Sequence, residues 1–350
     1  MSAALIATFA DYLARSLGEV RVVVGPAHDL PHAPVFEGWT RDGQRVCVLE
    51  PTPLQLVEPP PSFRVVAIVP TYNEADVIEH TLRYLLQDGI GVYVLDNWST
   101  DGTLELAAAF GTQLAGLERF PPGGPAATYD LRRILGRVEQ IAATLDADWV
   151  ILHDADERRR SPWPDLGLRQ ALYMVERRGF TCVDHITLTF WPTAGAPVYD
   201  GTADVEDVLT SFEFSDHPGH FHQRRAWKQV PRRPVDLAST AGHDVQFPGR
   251  CVFPYRFLLK HYPIRSQAHG ERKVLAERRP RWNAAERAFG WHAQYDELST
   301  FVRDPSELTL FEPTTFYAEW LIERLSGVGV FAEPPAWATP PVWRPLAPVA

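Results

Sequence analysis

Several polar stretches of this chain have residue types and spacings that can do chemistry. Thr71-Tyr72-Asn73-Glu74 follows Pro70, Asp96-Asn97-Trp98-Ser99 comes next, and His153-Asp154-Ala155-Asp156-Glu157 lies further on. Lys260-His261-Tyr262-Pro263-Ile264-Arg265-Ser266, with Lys273 beyond it, concentrates cations in an acidic chain. Carboxylates that converge repel one another, so they need a cation or a hydrogen-bonding ligand between them. Asp154-Ala155-Asp156 is therefore a natural divalent-metal candidate. Mg2+ is usually held by one or two carboxylates and completed by substrate phosphates, and Mn2+ accepts similar oxygen ligands. The later cations suit negative charge that develops on a departing group, and His261 is a candidate to complete the metal shell. The plainer alternatives are that the aspartates cap a helix or pair with Arg158 to Arg160, and that the later cations form a solvated face. Glu271 and Glu277 interleave with Arg272 and Arg278 as on an exposed helix, so Arg278, Arg279 and Arg281 are read as surface, with His269 open to either group.

Each of the acidic stretches follows an apolar run. Val65–Val69, Val92–Leu95 and Trp149–Leu152 are too short for helices and read as strands buried on both faces, as in parallel sheets. Thr71 to Glu74 has capping-box spacing, which predicts that a helix starts there, carrying Ile78, Leu82, Leu85 and Leu86 on one face. Helices are also predicted over 102–110, 129–145 and 166–175. If the strands lie side by side, their polar tips meet at the carboxyl edge of the sheet, where open α/β sheets bind ligands. Residues 181–190 alternate and predict a half-exposed strand, Tyr199 to Ala241 reads as loop, and Val252 to Leu259 is a strand interrupted by Pro254. The division expected is an α+β appendage with a Pro-rich linker over 1–60, an α/β domain over 61–275, and a helical or irregular extension over 276–350. In the appendage a helix is expected over Leu5–Leu17, a strand over Val20–Val24 and a hairpin turn at Arg41-Asp42-Gly43-Gln44; in the extension, a helix around Phe316–Leu325.

The set Pro-Thr-Tyr-Asn-Glu (70–74), Asp-Asn-Trp-Ser-Thr-Asp-Gly-Thr (96–103) and His-Asp-Ala-Asp-Glu (153–157), in this order, resembles family 2 glycosyltransferases of the GT-A fold. The resemblance covers roughly Arg64 to Phe190. It implies a mostly parallel, Rossmann-like sheet flanked by helices and a nucleotide-sugar site that includes Pro70, Thr71, Tyr72, Asn73, Glu74, Asp96, Asn97, Ser99, Asp154 and Ala155. It assigns the base and ribose to the first loop and Asp96, the ribose or sugar to Asp154, and the Mn2+ or Mg2+ ion bridging the diphosphate to Asp156. Trp98 stands where the family usually has a small or polar residue. The family's acidic pair carrying the general base has no Glu-Asp counterpart at the expected place, where Ala241-Gly242-His243-Asp244-Val245 occurs after an Arg-Arg stretch (Arg224, Arg225). Asp244 is the first choice for the base and His243 the second, since either can take a proton near neutral pH; Glu206-Asp207 is read as surface. His-Tyr-x-x-Arg-Ser (261–266), followed by Lys273, resembles a segment of a related glycosyltransferase branch. His261, Arg265 and Lys273 accordingly join the site.

The activity implied is inverting transfer of a sugar, from a uridine diphosphate donor, to an acceptor hydroxyl. A sugar nucleotidyltransferase is one rival, but its glycine-rich first loop is missing from Pro70 to Glu74. A non-catalytic nucleotide-sugar-binding protein on the same scaffold is another. A net charge of −10 argues against nucleic acid or an anionic membrane as general partners. No apolar run is as long as a membrane span, and Met1 to Ala10 lacks a basic start, so a cytoplasmic enzyme with no integral membrane segment is expected. Cys47, Cys182 and Cys251 have no paired spacing and read as buried thiols.

Overall fold

The computed structural model describes residues 22–24, 34–39, 45–49, 58–162, 166–177, 179–215, 223–231, 233–288, 300–312, 314–315 and 321. The expected helices near 5–17 and 316–325, and the turn at 41–44, lie outside them apart from Leu321. Strands β1 (Val22–Val24), β2 (Pro34–Trp39) and β3 (Arg45–Leu49) form a separate antiparallel sheet in the order β1-β3-β2.

The rest is organised on strand β4 (Val65–Thr71). Its neighbours are β5 (Gly91–Asp96) on one side and β7 (Trp149–Leu152) on the other, all parallel, and β6 (Gly116–Arg119) adds to β5 in the same sense. Residues of β4 alternate between two apolar layers. Val65, Ala67 and Val69 pack with helices α1 (Ile78–Gln87) and α4 (Leu168–Arg177), while Ile68 packs with α3 (Leu131–Thr144). Both faces being covered is why the run is apolar throughout. Truncating a fully buried residue of these layers, such as Leu82, to alanine costs about 2–5 kcal/mol. The short helix α2 (Thr103–Ala108) lies between β5 and β6. Asp130 caps α3 by accepting from the Arg133 N–H at 2.9 Å.

Antiparallel strands extend this parallel centre. β11 (Ala226–Lys228) bridges β7 and β9 (Cys182–Phe190), followed by β10 (Ser211–Phe214) and β13 (Thr309–Leu310). β12 (Val252–His261) runs parallel to β9 and antiparallel to β8 (Glu157–Arg160), with a register shift between Phe253 and Phe257 where Pro254 interrupts it. The stretch expected to be loop from 199 to 241 thus supplies β10, β11 and the single turn α5 (Val205–Val208). Strands this short carry no periodicity of their own; their neighbours define them. β9 is buried on every residue rather than half-exposed. Its polar positions His185, Thr187 and Thr189 pair across to Phe257, Leu259 and His261 of β12; Thr187 lines a polar cleft, while His185 and Thr189 meet the Gln223 carbonyl and the Ser215 hydroxyl.

Beyond β12 come α6 (Gln267–Gly270), a π-helix over Glu271–Arg278, a 3-10 turn over Arg279–Arg281 and α7 (Ala284–Ala288). Among the described residues no helix is long and apolar enough to cross a membrane. Cys182 is a buried free thiol and Cys251 a half-buried one.

Candidate active site

Thr71 lies opposite Asp96 and Ile68 opposite Leu152, so the loops after β4, β5 and β7 open at one edge of the sheet. A cleft forms there with an empty volume, open mouth included, of ≈ 1320 Å³. Pro70, Thr71, Tyr72 and Glu74 line it from the first tip, Asn97 from the second, and Asp154 to Glu157 from the third. Tyr129 and the α3 residues Leu131, Ile134 and Leu135 give it an apolar wall; Thr187, Leu259 and His261 lie on the β9–β12 face. Gln223, Arg225, Ala241 and His243 close the far wall, and Glu277, Arg278 and Arg281 the rim.

The first two tips are laced together by hydrogen bonds. Asn73 N–H donates to Ser99 Oγ at 3.0 Å, Thr100 N–H to Asn73 Oδ1 at 2.9 Å, and Glu74 N–H to Thr103 Oγ1 at 2.8 Å. Asn73 and Trp98 adopt φ of 54° and 62°, a left-handed conformation that asparagine tolerates better than most residues. Asp96 is fully buried and accepts from Ser99 N–H, with Arg119 Nε at 3.3 Å. Burial pushes its carboxyl pKa up, against the opposing pull of Ser99 and Arg119. Asn73, Asp96 and Ser99 therefore join the loops from behind, while Asn97 faces the cleft, donating to the Phe120 carbonyl at 2.9 Å. The capping box does not form. The helix begins at Ile78 with Val77 as an uncapped N-cap, because the Glu74 carboxylate is drawn to Lys273 at 2.7 Å and Arg265 at 2.6 Å.

Those two cations organise the acidic groups. Lys273 Nζ also reaches Asp156 Oδ2 at 2.8 Å. Burial alone would raise the Glu74 pKa, but Lys273 and Arg265 hold it at about 2. Asp156 is likewise held below the usual carboxylate range, its burial outweighed by Lys273, His261 and Arg265. Arg265 is completely buried: Nε donates to Asp76 at 2.7 Å, Nη1 to the Tyr262 carbonyl at 3.1 Å, and Nη2 lies 2.8 Å from His269 Nε2. Arg265 and His269 thus lie behind the acidic tips.

Two places bring carboxylate and imidazole together. Glu74, Asp76 and His269 present ligand atoms within 4.8 Å of one another, but the Arg265 guanidinium bonds all three, so the cation of that cluster is an arginine. At the other place, His261 Nε2 is 3.8 Å from Asp156 Oδ1, the oxygen that Lys273 leaves unclaimed. Burial lowers the His261 pKa against the pull of Asp156 and Asp154, which favours the neutral ring that ligates a metal. A carboxylate and a neutral imidazole facing the cleft fit an ion that takes its other ligands from phosphate and water.

On the far wall Arg225 Nη1 donates to Asp154 Oδ2 at 2.7 Å and to Glu157 Oε1 at 3.2 Å. Glu157 also accepts from Arg159 at 2.8 Å, yet burial and the neighbouring Asp154 push its carboxyl up to about 7. Asp154 moves the other way, lowered by Arg225 in spite of its burial. The aspartates therefore pair with Arg225 and Lys273 rather than with Arg158, Arg159 or Arg160, which reach Asp204, Glu157 and Glu206 respectively. Glu206, read from sequence as surface, is mostly buried between Arg160 and Lys260. Of the two expected bases, His243 lines the cleft, with Nδ1 at 3.2 Å from Arg225 Nη2 and 3.4 Å from Gln223 Oε1. Asp244 is held by Arg224, Arg250 and Gln246 and lies outside the cleft lining.

Arg278 and Arg281, read from sequence as surface, line the cleft. In a π-helix the hydrogen bonds run five residues back, so Lys273 and Arg278, five apart, share a side. Both approach Glu74 Oε1, at 2.7 and 4.0 Å. Arg281 stacks 4.3 Å from the centroid of the Tyr72 ring, with Nη2 at 3.4 Å from Asn97 Oδ1. Its carbonyl accepts from Tyr129 N–H at 2.6 Å. The alternating charges of 271–278 read as a solvated helix because α-helical spacing was assumed. Thr187, Gln223 and Arg225 also lie outside the expected set; the signal for Thr187 is the polar half of the β9 alternation.

An α/β scaffold whose parallel strand tips gather carboxylates and cations in one cleft defines a class of ligand-binding or group-transfer protein. More narrowly, residues 66–163 match the family model described as Glycosyl transferase family 2. Gln223, Arg225, His243, His261, Lys273, Arg278 and Arg281 lie beyond the match. No curated protein matches the chain. Among solved structures, Staphylococcus aureus TarS residues 1–349 in complex with UDP is 17% identical with a TM-score of 0.27, over 43% of this chain and 40% of that one. Another S. aureus TarS structure is 11% identical with a TM-score of 0.31, over 57% of this chain and 37% of that one. A mycobacterial protein is 18% identical with a TM-score of 0.26, over 47% and 52%. The chain thus spans about half or less of the length of those chains.

Proposed function

We propose that the protein is a metal-dependent, inverting glycosyltransferase that moves a sugar from a uridine diphosphate donor to an acceptor hydroxyl. The observation that carries this is the meeting of the Thr71–Glu74, Asn97 and Asp154–Glu157 tips with His261 and the rim arginines around one cleft, inside and just beyond the family 2 match. Pro70, Thr71, Tyr72 and Asn97 form the nucleoside end. Asp156 and His261 would hold Mn2+ or Mg2+, which when bound neutralises the leaving diphosphate.

The chain's own residues do the rest. Lys273 fixes one oxygen of Asp156 and turns the other toward His261. Arg278 and Arg281 at the rim supply positive charge where the diphosphate departs. Asp154, oriented by Arg225, faces the sugar. His243 is the base better placed than Asp244, because it lines the cleft while Asp244 is held by Arg224, Arg250 and Gln246 outside it. Attack from the face opposite the leaving group inverts the anomeric carbon through an oxocarbenium-like transition state.

A thermal-shift screen of nucleoside diphosphates with and without Mn2+ tests the reading, since a ligand of the folded state raises Tm. Uridine diphosphate with Mn2+ should give the largest shift. A shift with another nucleotide and none with this one overturns the donor.

A further inference from the structure

Thr187 is 4% exposed and lines the cleft, yet its Oγ1 meets no hydrogen-bond partner among the described residues. A buried hydroxyl left unpaired costs free energy, and such a group in a cleft is satisfied when a ligand arrives. Its position follows from the sheet register. Thr187 pairs with Leu259, and Thr189 pairs with His261, so Thr187 lies one side-chain step along the same face from the candidate metal ligand. Gln223, Arg225 and His243 line the same cleft.

Resting on the glycosyltransferase reading, we infer that Thr187 and the Gln223–His243 wall form the sugar subsite of the donor, and that this subsite selects an uncharged sugar, hexose or N-acetylhexosamine, over a uronic acid. The hydrogen-bonding groups it offers are a hydroxyl, an amide and an imidazole. Arg225, the cation on this wall, already gives Nη1 to Asp154 and Glu157 and lies with Nη2 on His243. A sugar carboxylate would meet Asp154 and Glu157, which already hold the Nη1 end of Arg225, and like charges at such range repel.

The test compares, by titration calorimetry with Mn2+, uridine diphosphate, UDP-glucose, UDP-N-acetylglucosamine and UDP-glucuronate on the wild type, Thr187→Val and Thr187→Ser. One uncharged UDP-sugar should bind the wild type more tightly than uridine diphosphate does, and UDP-glucuronate should not. Thr187→Val should reduce that sugar's advantage about 3- to 10-fold and leave uridine diphosphate binding unchanged, which also shows the variant to be folded; Thr187→Ser should restore the advantage. Tighter binding of UDP-glucuronate than of both uncharged sugars, or an advantage unaltered in Thr187→Val, overturns the inference alone. Absence of uridine diphosphate binding to the wild type removes the glycosyltransferase reading beneath it.

Discussion

Two carboxylate–imidazole clusters among the described residues differ in what fills them. Glu74, Asp76 and His269 surround the Arg265 guanidinium, which is completely buried and spends its donors on them. Asp156 is held by Lys273 through one oxygen only, and its other oxygen and the His261 ring nitrogen face each other across 3.8 Å beside the cleft. By residue type the first cluster is the richer metal site; by geometry it is a structural ion-pair knot. The lesson is that a cation already built into the chain decides which acidic cluster remains for a ligand.

The sharpest way to break the comparison is to exchange consequences between the clusters. Arg265→Met should destabilise the fold by about 3–5 kcal/mol, because it strands Glu74 and Asp76 without their partner; chemical denaturation measures this. Asp156→Asn should cost less stability, since Lys273 keeps Glu74 as a partner, but lower transfer by about 10²–10³-fold and abolish Mn2+-dependent nucleotide binding. Should Asp156→Asn unfold the protein while Arg265→Met spares it, the assignment of roles is reversed.

Acid dependence sharpens it further. The Glu74 pKa is lowered from 4.5 to about 2 when folded, so the stability it contributes is fully present above pH 4.5 and is lost as pH falls through 2. Glu74→Gln should remove up to about 3 kcal/mol at neutral pH and flatten the stability profile between those limits, read by urea titrations along a pH series. His261→Ala should raise the Mn2+ concentration needed for half-maximal nucleotide binding about 10- to 100-fold with little change in Tm. Smallest of all, Arg281→Ala removes the stack on Tyr72 and should weaken uridine diphosphate binding about 2- to 5-fold, measured by calorimetry.

Legibility in the sequence followed how local each signal was. Val65–Val69 with Thr71–Glu74, and Trp149–Leu152 with Asp154–Glu157, are contiguous strand-then-tip signals, and the structure places those tips together. The capping box failed at Glu74 because Lys273 and Arg265, almost two hundred residues away, compete for the same carboxylate. Arg278 reads as surface from sequence because a π-helical turn changes which residues share a side, and Arg281 because the 3-10 turn that follows carries it onto Tyr72. β11, only Ala226–Lys228, is a strand because β7 and β9 flank it.

The sequence by itself determined the α/β core, the polar strand tips and the inventory of acids and cations, since those follow from residue type and short-range period. Only the tertiary structure decided which acid meets which cation, because Coulomb and hydrogen-bond partners are chosen by distance in space and not along the chain. That choice gave Arg265 to one acidic cluster, left Asp156 half-engaged in the other, and brought Thr187 of β9 into the lining of a cleft.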